Sequence, residues 1–248
     1  ASISKLMTYL LLAEADRDGV IRFSGQVPIS ENAAALSEGQ DAMVHLKAGT
    51  TVPAQELLTA MLLASSNESA LAMAEYAAGS EGAFVEQMNR RAAELGMESA
   101  HFYNPHGLPV YLPYATAAKV QNRMSAADLF LLCRTILAEF PGITRLTRER
   151  FAHMPTLQYT TANSNALVFN LSGCTGLKTG STNKAGSCLA ATLPVTVNGE
   201  THTVVAIVLG SETAYARNQA AEILLRYGRE ILQERGFWAP EPTEESEG

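Results

Sequence analysis

Long apolar runs, basic stripes, paired cysteines and clustered histidines are all scarce in this sequence, and each shortage removes a class of function. No stretch approaches the roughly 18 consecutive apolar residues of a membrane-spanning helix, and KLMTYLLLA near the start is short and amphipathic. No basic, apolar and small-residue succession marks a signal peptide. Lys and Arg total 18 against 25 Asp and Glu, and no basic stripe invites nucleic acid. Glu241, Glu244, Glu245 and Glu247 gather much of the excess negative charge at the end of the chain, so the body is only mildly acidic. Cys133, Cys174 and Cys188 offer neither an even count nor a CxxC pair. Buried thiols are one reading; because Cys174 and Cys188 flank one turn, a single bridge between them stays open. His45, His101, His106, His153 and His202 show no HExxH or other ligand spacing, which points to structural or surface roles. Neither a metal nor an organic cofactor is expected.

What is present is core-forming sequence. Hydrophobic residues make up 47% of the chain and charged residues 17%, enough to bury a substantial core in one or two domains. Ile3, Leu6, Met7, Leu10 and Leu11 recur at helical spacing over residues 2–13, and Ser2 is a good N-cap type, so a buried helix is expected to begin at its hydroxyl. VIRFSGQVPIS and DAMVHLKAGT read as small strands or loops. Pro53 opens a helix with Leu57, Leu58, Met61 and Leu62 on its apolar stripe, ending near Ser65. ESALAMAEYAAG and EGAFVEQMNRRAAELG read as two more helices, the second closed by Gly96. SAADLFLLCRTILAEF starts with capping-box spacing, Ser125 to Asp128. From about Cys174 the period changes to that of strands, and Asn198-Gly199 predicts a hairpin between GSCLAATLPVTV and THTVVAIVLG. A long helix follows, with Ala220, Ile223, Leu224, Tyr227 and Ile231 on one side, and then an acidic, proline-rich tail expected to be disordered.

Three short motifs carry chemistry. Ser2 and Lys5, in SISK, stand three apart and share a helix face. A lysine is a poor base at neutral pH unless burial or a neighbouring cation favours its neutral form, so the pair needs further groups. Ser65 and Asn67, in ASSNESA, supply a hydroxyl that can relay a proton and an amide that can orient a substrate carbonyl or the lysine. Lys178, Thr179 and Gly180 place a cation, a hydroxyl and a small residue on a strand, suited to a substrate carboxylate and a close backbone approach. Each motif alone has a bland structural explanation. Together, in the order SxxK, SxN, KTG and each in its expected context, they form the Ser-Lys acyl-transfer signature of β-lactamases and penicillin-binding proteins.

On these motifs, and on NPHGL, NSNAL, GLKTGSTNKAGSCLAA and ARNQAAEILLRYG, the chain resembles the serine D-alanyl-D-alanine carboxypeptidases, the low-molecular-weight penicillin-binding proteins, from Ala1 to about Gly236. The resemblance implies an α+β fold of the β-lactamase/transpeptidase type, with a five-stranded antiparallel sheet flanked by helices, an all-helical lobe, and the site between them. It implies a catalytic domain over 1–238 and a tail over 239–248. The family carries strands ahead of its SxxK that this chain does not show, so they are expected to be absent here, and an N-terminal segment of the same protein is a candidate partner.

The resemblance also implies roles. Ser2 would be the nucleophile, Lys5 its base and Ser65 the proton shuttle to the leaving D-alanine. Asn67 would hold the peptide, Lys178 the charge balance, and Thr179 the terminal carboxylate. The N–H groups of Ser2 and of Ser181, after Gly180, would form the oxyanion hole, and Arg217 would be a further carboxylate partner. Implied partners are a peptidoglycan stem peptide ending in D-Ala-D-Ala and β-lactam antibiotics as covalent inhibitors, and the implied location is outside the cytoplasm. A β-lactamase would need a water-activating glutamate in an ExxLN string, and none occurs between Asn67 and Lys178. A transpeptidase or endopeptidase would use the same residues, and a β-lactam- or muropeptide-sensing module is the non-enzymatic alternative.

Overall fold

A computed structural model of the chain describes residues 1–111 and 119–235. In chain order the elements are α1 (Lys5–Arg17), preceded by a 3₁₀ turn (Ser2–Ser4), then β1 (Gln26–Pro28), α2 (Glu31–Leu36), β2 (Thr51–Pro53) and α3 (Ala54–Thr59). A π-helical turn (Ala60–Ala64) links α3 to α4 (Asn67–Ala78), followed by α5 (Glu81–Glu94), β3 (Val110–Tyr111), β4 (Lys119–Val120), α6 (Ala126–Glu139) and α7 (Ile143–Thr147). The chain then runs through β5 (Phe151–Met154), β6 (Tyr159–Ala162), α8 (Leu167–Asn170), β7 (Gly176–Thr182), β8 (Gly186–Val197), β9 (Glu200–Ser211) and α9 (Ala214–Arg235).

The main sheet is antiparallel in the order β7-β8-β9. Among the described residues it has three strands, where the resemblance implies five. Its hairpin turns on Asn198 and Gly199, both at positive φ (53° and 86°), the geometry that matches strand twist and that this dipeptide favours. Side chains alternate across a strand, and β8 uses both faces. Leu189, Ala191, Leu193 and Val195 pack in one cluster with Ala221 and Leu225 of α9, whereas Cys188 and Ala190 belong to the larger core of the helical part. At the centre of that larger core lies α1, whose residues from Lys5 to Ala13 are all buried. A helix buried all round needs no single apolar stripe. The capping box at Ser125 and Asp128 forms as expected.

Two local expectations, for Ser2 and for α9, fail for physical reasons, and two open readings, for 41–50 and for the cysteines, resolve. Ser2 is not an N-cap: it opens the 3₁₀ turn, and no side-chain cap bond forms there. The apolar side chosen for α9 faces outward, with Ile223 66% and Tyr227 60% exposed. The sheet instead receives Ala221, Leu225 and Gly228, and a Cβ on Gly228 would lie 2.5 Å from Val204. Close helix-on-sheet packing favours small residues there, so the larger apolar residues mark the wrong face. The stretch 41–50 forms no strand, because the buried Glu68 carboxylate takes the N–H groups of Met43 and Val44. The Cys174–Cys188 bridge does not form: the two thiols sit in different clusters, on opposite faces of the sheet, and all three cysteines are free.

Candidate active site

The nucleophile candidate and its partner sit where the 3₁₀ turn becomes α1. The three-residue spacing stacks them, and Lys5 Nζ lies 2.9 Å from Ser2 Oγ. Lys5 also donates to Asn67 Oδ1 at 2.8 Å and to the carbonyl of His106 at 2.7 Å. Three acceptors surround a group with 0% exposure, so the amine has one position available to it. Burial, then the nearby Lys178 cation, holds its pKa well below the ordinary lysine value, while Glu68 opposes that fall. Loss of solvation and a like charge both favour the neutral amine, the form that can accept a proton.

The second motif is positioned by an irregular helix. At the end of the π-helical turn Ser65 adopts φ 67°, ψ 27°, a left-handed conformation that costs a non-glycine residue about 1–2 kcal/mol. That conformation breaks the helix, lets Ser66 cap α4 through its side chain, and puts Asn67 in the first turn of α4 facing Lys5. Ser65 Oγ accepts a hydrogen bond from Lys178 Nζ at 2.9 Å. Local strain held by surrounding packing is common where a side chain must be aimed.

β7 supplies the third motif. Lys178 is buried and its pKa falls to about 7, from desolvation first and then the Arg217 charge. Thr179 Oγ1 is 2.8 Å from Ser164 Oγ. Gly180 lets the strand run against the start of the nucleophile helix: a Cβ there would stand 2.7 Å from Ile3 N and 2.9 Å from Ser2 N. Both are backbone atoms, so Gly180→Ala must push the strand away from Ser2. We expect at least a tenfold loss in the rate of acylation by a β-lactam, equivalent to about 1.4 kcal/mol on the barrier, with the melting temperature as control.

A cleft of about 240 Å³ joins these parts, lined by Ser2, Ser65, Asn67, Thr179, Gly180, Ser181 and Arg217 together with Asp41, Met43 and Leu108. Lys5 and Lys178 lie buried behind the hydroxyls they contact. All nine candidate residues therefore meet at one place. Arg217 is 6% exposed rather than solvated, and its guanidinium rests on Asn218 Oδ1.

Sequence reasoning missed the backbone contribution of His106. Asn104 Oδ1 accepts from the N–H groups of His106 and Gly107, and Asn122 bonds Asn104 from the other side, so the 104–108 turn holds its shape. The turn then presents the Pro105 carbonyl to Thr8 and the His106 carbonyl to Lys5, one helical turn apart on α1. The His106 ring itself is structural: its Nδ1 accepts from Leu108 N, and burial followed by the Lys5 charge lowers its pKa to about 3. Ser164 and the Glu68 carboxylate were also missed. Among the described residues no group of three or more His, Cys, Asp or Glu side chains is placed to hold a metal ion, and no helix is long and apolar enough to cross a membrane.

Similarity to known proteins agrees with this geometry. The D-alanyl-D-alanine carboxypeptidase family profile matches residues 1–213. DacF, a D-alanyl-D-alanine carboxypeptidase of Bacillus subtilis, is 32% identical over 230 residues, 92% of this chain and 55% of that protein. Thus the chain spans little more than half the length of such curated relatives. PBP3 of Streptococcus pneumoniae superposes with a TM-score of 0.81 at 29% identity, over 92% of this chain and 63% of that one. Penicillin-binding protein D2 of Listeria monocytogenes, solved in an ampicillin-bound form, gives 0.72 at 27% identity, over 92% and 86%. With the motifs assembled in one cleft and the profile spanning most of its length, the chain belongs to the D-alanyl-D-alanine carboxypeptidase family.

Proposed function

We propose that this chain is a serine D-alanyl-D-alanine carboxypeptidase acting on peptidoglycan stem peptides outside the cytoplasmic membrane, with Ser2 as the acylated residue. The observation that carries the reading is the buried Lys5 amine, 2.9 Å from Ser2 Oγ and held by Asn67 and His106 in a setting that favours its neutral form. Lys5 takes the Ser2 proton as Oγ attacks the carbonyl of the penultimate D-alanine. The N–H groups of Ser2 and Ser181 receive the developing oxyanion, a contribution of about 2.7–4 kcal/mol per donor in comparable sites. Ser65, bonded to Lys178, passes a proton to the leaving D-alanine nitrogen. Thr179 and Arg217 hold the terminal carboxylate at the cleft. Water then releases the acyl group from Ser2. A β-lactam presents the same carbonyl and carboxylate, and its acyl group remains on Ser2.

Two titrations bound the activity. Neutral Lys5 is needed, so the rate falls as acid protonates it. Protonated Lys178 is needed to hold anionic charge beside Ser65, so the rate also falls as pH rises through about 7. Removing the like charge in Arg217→Gln makes Lys178 easier to protonate, and the alkaline limb is expected to move to higher pH. A pH profile of penicillin acylation checks this, and an unmoved limb would contradict the role given to Lys178. The activity itself is tested by incubating the protein with diacetyl-Lys-D-Ala-D-Ala and measuring free D-alanine. Release is expected, and its absence in a protein that acylates with penicillin would leave binding without hydrolysis.

A further inference from the structure

Besides the three basic side chains of the site, the core holds a carboxylate that the mechanism above does not use. Glu68 is 0% exposed. Its Oε1 accepts from Met43 N at 2.7 Å and Val44 N at 2.5 Å, while Oε2 is buried with no hydrogen-bond partner. A fully buried acid with one orphaned oxygen is costly, and its position gives the compensation. Glu68 follows Asn67 in the first turn of α4, and Asn67 bonds Lys5 directly and the Asp41 carbonyl at 3.3 Å. Glu68 and Asp128 are the buried acids among the described residues, and Asp128 is engaged by Ser99 and the capping box of α6.

We propose that Glu68 is a positioning residue acting through Lys5: its buried carboxylate is the counter-charge to the Lys5 amine, fixed in place by the N–H groups of Met43 and Val44. The inference rests on the proposed function. The titratable and charged groups around Lys5 are Lys178 from β7, Glu68 from α4, the neutral His106 of the 104–108 turn and the α-amine of Ala1. Lys178 drives Lys5 towards its neutral form, and Glu68 drives it back. Burial lowers the strength of the base most, and these two charges adjust it in opposite directions. Glu68 also fixes Met43, which lines the cleft.

Glu68→Gln separates the two jobs, because glutamine keeps an acceptor for the 43–44 N–H groups and loses the charge. Without the counter-charge Lys5 gives up its proton more readily, so the acid limb of the penicillin acylation profile moves to lower pH. The variant-to-parent rate ratio, measured from pH 4.5 to 8, is then expected to rise about threefold or more towards the acid end. Glu68→Asp, which keeps a carboxylate, is expected to leave the limb in place. If glutamine prevents folding, Glu68→Ala, which leaves room for water on the two N–H groups, is read in the same way. A folded neutral variant whose rate falls equally at every pH overturns the inference and makes Glu68 purely structural. A parent protein that never acylates overturns the proposed function, and this inference with it.

Discussion

Ser2→Ala is expected to abolish both penicillin labelling and D-alanine release, while leaving the fold intact. The expected loss of turnover is on the order of 10⁶-fold, the scale reached when a catalytic nucleophile is removed from a preorganised site. Stability is expected to change by less than about 1 kcal/mol, because Ser2 Oγ has one hydrogen bond, from Lys5, and Lys5 keeps Asn67 and His106. Melting temperature and intact mass after penicillin treatment measure the two effects on one sample. A variant that still labels would move the nucleophile elsewhere; Ser65, Thr179 and Ser181 line the same cleft, and Ser164 contacts Thr179.

Lys5→Met is the second large effect. Methionine has nearly the length of lysine and no proton acceptor, so acylation should lose the general-base contribution of about 10²- to 10⁴-fold. The shape of the profile is as informative as the rate. The parent loses activity as acid protonates Lys5, and Lys5→Met has nothing there to titrate, so its residual rate should lack that acid limb. Stability tests a separate balance. Removing a buried amine relieves a desolvation cost that can reach several kcal/mol, but Asn67 Oδ1 and the His106 carbonyl lose their donor, at about 1–3 kcal/mol each. The opposing effects are of similar size, so a small net change in urea unfolding is expected. Chemistry and folding thus make conflicting demands on this position, and the sequence keeps the residue that chemistry requires.

The site was more legible in the sequence than the packing around it. Ser2, Lys5, Ser65, Asn67, Lys178 and Thr179 can be found because their chemistry requires particular side chains at fixed places on a helix start, a helix end and a strand. The His106 carbonyl leaves no such trace: any residue offers a carbonyl, and the signal lies one step back, in the Asn104 side chain that shapes the turn. The exposed face of α9 was misread because apolar bulk and burial diverge where a helix lies close on a sheet. Ser2 was misread as a cap because serine suits both jobs, and the choice depends on the lysine amine that reaches its oxygen. β8, by contrast, was legible as a strand from its apolar run and the Asn198-Gly199 turn, and the division of its side chains between two clusters comes from the structure.

The central claim is that Ser2 forms the acyl-enzyme, and its most direct test is to locate the adduct. The protein is treated with penicillin, quenched in acid, digested, and mapped by tandem mass spectrometry. The account predicts one penicilloyl group per chain, on the peptide beginning ASISK and assigned to Ser2. A penicilloyl group on any other residue, or a chain that remains unmodified while folded, would contradict it.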